Sequence, residues 1–204
     1  PRVTRIYNGI DAAAWRARVT GTDARAGLGL DASARVILMP AQFVPWKRHE
    51  DALRMMPTLL AHEPAARLVL AGSDAFGDHR KLVASLRALA GELVISDKVV
   101  FAGARRDIPD LMAMSEIVLI PSEGEPFGRV AIEAMALGKP VVGARTGGLP
   151  EVVRDGETGL LTAPCAPQSL ATACARLLLN RGLARRLGEA GYSRVLARFN
   201  IDHV

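Results

Sequence analysis

Two glutamates eight residues apart, Glu125 and Glu133, frame the segment best suited to chemistry: Pro121-Ser-Glu-Gly-Glu-Pro-Phe-Gly-Arg-Val-Ala-Ile-Glu133. The run before it is apolar, Gly124 and Pro126 turn the chain, and a helix is predicted to start near Gly128. A helix start exposes unpaired N–H groups and the positive end of the dipole, so it attracts anions, and Gly128 lets a ligand approach the backbone closely. A carboxylate on each side of such a start can grip hydroxyls flanking a diphosphate. Sugar hydroxyls, then diphosphate, then ribose hydroxyls is the pattern of a sugar nucleotide. Lys47 can add a point charge on a phosphate, and the Thr146-Gly147-Gly148 turn before Leu149 is predicted to form a second nest of backbone donors. Taken singly, Glu125 can equally cap a helix and Glu133 can equally be a solvated helix residue.

These residues need a scaffold, and the hydrophobic pattern describes one. Strands are predicted at Val36–Met39, Leu68–Ala71, Val99–Phe101, Ile117–Ile120, Val141–Gly143 and Leu160–Thr162, none alternating apolar with polar, as suits strands covered on both faces. Amphipathic stretches lie between them: Glu50–Ala61, His79–Ala90, Pro109–Met114, Val130–Leu137 and Gln168–Leu179, followed by a helix over Arg181–Arg198. Pro57 should interrupt the first. This order predicts an α/β fold, a Rossmann-like doubly wound parallel sheet of about six strands with helices on both faces. Ligands in such sheets bind beyond the carboxyl ends of the strands. The loops to watch are therefore Pro40–Arg48, Gly72–Asp78, Gly103–Asp107, Pro121–Gly128 and Ala144–Leu149.

The motifs, in this order, resemble the C-terminal domain of the family 4 glycosyltransferases, which are retaining enzymes of the GT-B fold. Glu125 to Glu133 resembles the family's Glu-x7-Glu motif. Tyr7-Asn8-Gly9-Ile10-Asp11, Val44-Pro45-Trp46-Lys47, Pro140-Val141-Val142, Gly147-Gly148-Leu149-Pro150-Glu151 and Asp155-Gly156-Glu157-Thr158-Gly159-Leu160-Leu161 match further family segments. The resemblance covers essentially the whole chain. It implies that residues 1–204 are one nucleotide-sugar-binding domain, with the acceptor-binding N-terminal domain outside this chain, so that the isolated domain would transfer little or nothing. It further implies that Glu125 binds sugar hydroxyls near the reacting carbon, and that Glu133 accepts hydrogen bonds from the ribose. Backbone amides of Phe127, Gly128, Arg129 and Val130 would hold sugar and diphosphate, while Lys47 neutralises the departing diphosphate. The Gly103–Asp107 loop, with Gly103 and Arg105, would cup the base. The implied donor is a UDP- or GDP-linked sugar, the acceptor a glycan or lipid-linked molecule, and no cofactor or metal is needed. One departure stands out: Ala41-Gln42 replaces the family's usual Gly-Arg. If Gln42 takes the arginine's place, one diphosphate charge is missing, and Arg48, where the family tends to have glycine, is the candidate to compensate. That departure keeps open a non-catalytic nucleotide-sugar-binding module.

Composition bounds the alternatives. In 204 residues, 50% hydrophobic and 23% charged, there is material for one sizeable core. No apolar run approaches a membrane span, and Pro1 to Arg5 show no signal-peptide pattern. The net charge of +5, with arginine the main basic residue, fits nucleic acid, an anionic membrane surface or phosphorylated small ligands. With aromatics at 4% and none interleaved with basic residues, a nucleic-acid stacking platform is not expected. Cys165 and Cys174 have neither disulfide-framework nor zinc spacing, which fits a cytoplasmic protein. His49, His62, His79 and His203 lack metal-ligand spacing; His49 is expected at the surface or against the ligand. Trp46 should stack beside Lys47 or pack on the sheet. Gly27-Leu28-Gly29-Leu30 lacks the third glycine of a dinucleotide fingerprint. Arg176, Arg181, Arg185, Arg186, Arg194 and Arg198 form a solvated face, a surface for the missing domain, or a peripheral contact with the inner face of a membrane. A glycoside hydrolase would need two carboxyl groups about 5–10 Å apart flanking one bond, without a phosphate-binding helix start between them.

Overall fold

The runs of Val, Ile and Leu become strands with side chains packed on both faces. The computed structural model describes residues 7–73 and 80–203, and among them six parallel strands form one sheet. They are β1 (Arg35–Pro40), β2 (Ala66–Ala71), β3 (Val99–Gly103), β4 (Ile117–Ile120), β5 (Val141–Ala144) and β6 (Gly159–Thr162), in the spatial order β3-β2-β1-β4-β5-β6. The helices are α1 (Ala12–Ala17), α2 (His49–Arg54), α3 (Met56–Leu60), α4 (Arg80–Glu92), α5 (Ile108–Met114), α6 (Arg129–Ala136), α7 (Leu149–Val152), α8 (Pro167–Leu179) and α9 (Arg181–Arg198).

Strand alternation divides the core between two layers. Ile37, Met39, Leu68 and Leu70 point to the face covered by α2, α3, α4 and α8, together with Leu53, Leu86 and Leu177. Val36, Leu38 and Val69 point to the other face, against Leu111, Met135, Leu149, Val195 and Phe199. This is the doubly wound, Rossmann-like arrangement the sequence predicts. The predicted helix Glu50–Ala61 is broken at Met55 into α2 and α3, with Pro57 at the start of the second, where its missing N–H costs nothing. The described part of the predicted Gly72–Asp78 loop ends at Ser73. Asp74–His79 lie outside the described residues, as do Pro1–Ile6 and Val204.

Aromatic packing seats α6. Phe127 stacks on Tyr7 with ring centroids 6.1 Å apart and meets Phe199 edge-on at 6.2 Å. Its side chain therefore anchors the turn before α6. Among the described residues no helix is long and apolar enough to cross a membrane.

Candidate functional site

The strand order reverses between β1 and β4, the switch point at which open α/β sheets bind ligands. Pairing is shortest there: β1 and β2 register over six residues, from Arg35↔Ala66 to Pro40↔Ala71, whereas β1 and β4 pair only at Ile37↔Ile117 and Leu38↔Val118. Beyond those pairs the two strands part, and the loops 41–48 and 121–128 flank the gap.

α6 starts at this gap. Gly128, its N-cap, has φ 97°, a backbone conformation that favours glycine, and no side chain caps the helix. The amides of Gly128, Arg129 and Val130 donate to no backbone carbonyl among the described residues. First-turn donors without a cap are what an anion would satisfy.

On one side of this start lies a closed polar knot. Lys47 Nζ donates to Glu125 Oε2 at 2.7 Å, with the two side chains only 14% and 11% exposed. The ammonium also sits 4.1 Å from the centroid of the Trp46 ring, so Trp46 takes the lysine-stacking role rather than packing on the sheet. The loops are laced by backbone: Glu123 N–H donates to the Trp46 carbonyl and Gly148 N–H to the Glu125 carbonyl, each at 2.8 Å. Thr146 Oγ1 donates to the Ser122 carbonyl at 2.8 Å and accepts from Gly124 N–H at 3.1 Å. The contact at Gly147 is tighter still: its φ is 54°, and a Cβ there would lie 2.0 Å from the Glu125 oxygen.

On the other side is an open cleft of about 270 Å³, lined among others by Gln42, Ser73, Arg105, Val130 and Glu133. Glu133 is only 13% exposed, and burial raises its carboxyl above the ordinary glutamate range; the Arg129 guanidinium, bonded through Nε at 3.0 Å, offsets part of that rise. Arg105 grips Asp107 through Nε at 2.8 Å and through Nη2. The bond raises the guanidinium's pKa and holds the Asp107 carboxyl below the usual range. Gly103, at the end of β3, uses its carbonyl to accept from Gly72 N–H at 2.8 Å.

The predicted residues thus converge in two groups: Lys47 with Glu125, and Gln42, Gly103, Arg105, Val130 and Glu133 around or beside the cleft, with Phe127, Gly128 and Arg129 between. Four local expectations change. Arg48 is already engaged: Nε and Nη2 bond buried Asp51 at 3.0 and 3.1 Å, which raises its pKa, and Nη1 lies 3.8 Å from Glu123 in the facing loop. His49 is neither on the surface nor available to a ligand. It is 2% exposed, stacked on Phe43 at 4.6 Å, and neither ring nitrogen meets full hydrogen-bond geometry. Burial, aided by the Lys47 charge and only partly opposed by the Ala41 backbone, lowers its pKa to about 4. The Thr146-Gly147-Gly148 turn spends its Gly148 and Leu149 amides on internal bonds, so it buttresses Glu125 more than it forms a nest. Arg194, from the predicted solvated face, donates to the Val152 and Glu151 carbonyls at 2.8 and 2.7 Å, while Arg176, Arg181, Arg185, Arg186 and Arg198 are exposed.

Pro40, Ser73, Ala104 and Ile108 also line the cleft, and sequence reasoning did not single them out. Pro40 ends β1, Ser73 and Ala104 follow β2 and β3 within loops the strand pattern marks, and only Ile108, at the start of α5, lies outside them. Gly27–Leu30 forms a surface 3-10 turn ending in Gly29 (φ 65°), and no strand feeds it. Among the described residues, no group of three His, Cys, Asp or Glu is placed to hold a metal ion.

The family described as Glycosyl transferases group 1 matches residues 22–194. N-acetyl-alpha-D-glucosaminyl L-malate synthase of Bacillus anthracis is 30% identical over 202 residues, covering 99% of this chain and 51% of the relative. D-inositol 3-phosphate glycosyltransferase of Mycolicibacterium gilvum is 36% identical over 173 residues, covering 84% and 38%. The structure of Anabaena HepE in complex with UDP-glucose superposes with a TM-score of 0.87 at 30% identity, covering 97% of this chain and 53% of HepE. The chain thus spans about half the length of the first of these relatives and of HepE.

Proposed function

This chain belongs to the glycosyl transferases group 1 family, and on that premise we propose that it is the donor-binding domain of a retaining, family 4-type enzyme. It is read as the C-terminal half of a longer protein that moves a sugar from a nucleoside-diphosphate sugar to a glycan or lipid-linked acceptor held by an N-terminal domain. The observation that carries this reading is the uncapped start of α6 at the switch point, with Glu125 on one side and Glu133 on the other. The diphosphate takes the α6 amides, the ribose hydroxyls take Glu133, and the sugar lies toward Glu125. Lys47, already oriented by Glu125, stabilises charge developing on the leaving diphosphate, so the design calls for no cofactor. Anabaena HepE, similar over nearly all of this chain, was solved with UDP-glucose, which favours a uridine donor here. Cys165 and Cys174 are both free, one exposed and one buried, which supports a reducing, cytoplasmic setting. The exposed arginines of α8 and α9 are available for peripheral contact with an anionic membrane.

A non-catalytic nucleotide-sugar-binding module is the second reading, favoured by the neutral Gln42 in the cleft. Calorimetric titration of the chain with UDP, GDP, ADP and their sugar conjugates, beside Glu133→Ala, tests the site. Saturation by one base, weakened about tenfold or more by the substitution, is the expected result, as for loss of a charged hydrogen bond. Saturation untouched by Glu133→Ala would remove the ribose assignment. Transfer or slow donor hydrolysis by a two-domain parent then separates enzyme from module.

A further inference from the structure

We propose that Arg129 is the second cation of the donor site, exchanging Glu133 for the ligand's diphosphate when a nucleotide enters. This rests on the donor-site reading above and adds to it a side chain that the motif uses only through its backbone.

The first argument is local. Arg129 is the first residue of α6 and Glu133 lies four residues on. The helix dipole favours acids at that end and disfavours cations, and a basic residue placed ahead of an acidic one is the weaker order for an i,i+4 pair. The first turn of α6 contains no acidic residue, so its only charge is of the wrong sign. A local rule broken at a ligand site points to a partner that reverses the balance. An anion at the α6 amides does so, because it would face the helix start and the guanidinium together.

The second argument compares Arg129 with the other cations near the gap. Arg18, stacked over Trp15, and Arg106, exposed beside Arg105, lack an ion pair among the described residues, but neither lies on α6. Lys47 is matched to buried Glu125 at 2.7 Å. Arg48 is held at two points by Asp51, and Arg105 at two points by Asp107. Arg145 is paired with Asp155. Arg129 differs: one nitrogen, Nε, bonds to Glu133 Oε1, its terminal nitrogens bond to nothing among the described residues, and its side chain is 83% exposed. A long, exposed side chain with spare donors can change rotamer at small cost. Across the cleft Gln42 supplies no charge, so a second positive charge on the diphosphate comes from the α6 side.

The exchange couples two recognitions. Ribose hydroxyls displace Arg129 from Glu133, and the freed side chain places its positive charge on the phosphate. A nucleoside diphosphate gains more from Arg129 than a monophosphate does.

Calorimetry on the native chain, Arg129→Ala and Arg129→Lys tests this, using UDP against UMP, GDP against GMP and ADP against AMP. For the pair that the native chain binds, Arg129→Ala is expected to narrow the diphosphate-over-monophosphate preference about tenfold, and Arg129→Lys to keep most of it. Because Arg129 is exposed, neither change should unfold the chain, and melting curves verify that. A purely structural role would weaken di- and monophosphate alike; an unchanged preference in Arg129→Ala, or a lysine variant as weak as the alanine one, overturns the proposal while leaving the donor site standing. A native chain that binds no nucleoside diphosphate overturns both.

Discussion

The two ends of the site are built on opposite plans. At the Lys47–Glu125 end, an ion pair largely withdrawn from water is held by loops tied to one another through backbone bonds and by Gly147 pressed against the Glu125 carbonyl. At the Glu133 end, a carboxylate just as buried borders an open cleft and meets an arginine that is mostly in solvent. The first arrangement fixes geometry before a ligand arrives; the second leaves charges to be rearranged by it. Catalysis on a departing phosphate gains from preorganised charge, whereas admitting a nucleoside needs a side that opens. Under the proposed function, the first end suits chemistry and the second suits capture.

The fixed end should be the more sensitive to mutation. Gly147→Ala combines a positive φ with a Cβ 2.0 Å from a backbone oxygen, so it should cost roughly 3 kcal/mol or more, read as a lowered denaturation midpoint. A midpoint shift of a few tenths would mean the loops are not tied as described.

Stacked on Phe43 beneath the 41–48 loop, His49 is neutral in the folded chain at neutral pH. Its pKa falls from 6.5 to about 4, so the unfolded chain takes up the proton first as pH drops. The stability this gives is complete above pH 6.5 and is lost as pH falls toward 4, by about 3 kcal/mol in all. His49→Phe, which retains stacking on Phe43, should flatten this part of the stability–pH curve; an unchanged curve would show that His49 is not the group responsible.

The ion pair comes next. Lys47→Met or Glu125→Leu alone strands one charge and should cost roughly 2 kcal/mol, and the double variant should recover much of it. A double-mutant cycle with no coupling would show the pair to be loose, like the other end.

The adaptable end predicts a small effect of opposite sign. Burial raises the Glu133 pKa above 4.5, so its contribution to stability is present below that value and lost as pH rises through the raised one. Glu133→Gln should therefore melt slightly higher than the native chain at neutral pH, with the difference closing in acid, while it binds nucleotide more weakly. A lower melting temperature at neutral pH would make Glu133 a structural residue.

The sequence carried this contrast only in part. Strands, helix order, the helix break just ahead of Pro57 and the helix start at Gly128 were readable because each is a property of consecutive residues: runs, periodicity, a missing donor, a missing Cβ. The placing of Glu125 and Lys47 in loops after strands, and of Glu133 a turn inside the helix, was readable from the strand pattern and the Glu-x7-Glu spacing. That Lys47 and Glu125, 78 residues apart, would bond each other was not, since nothing along the chain encodes which loop tips meet. Arg48 shows a missed signal, for Asp51 stands three residues on at the start of a helix, a spacing at which the two side chains meet. His49 offered none: a histidine beside two basic residues in a loop looks exposed, and only the tertiary fold places it under Phe43. Arg194 was hidden likewise among arginines that do face solvent, because its acceptors are the carbonyls of α7.

The most direct test is a crystal structure of the chain with UDP-glucose bound. Ribose hydroxyls on Glu133, the diphosphate at the Gly128–Val130 amides and the glucose toward Glu125, with the Lys47 loop unmoved, is the predicted result. A nucleotide bound away from the α6 start, or one whose ribose rests on Glu125 and whose sugar rests on Glu133, would contradict it.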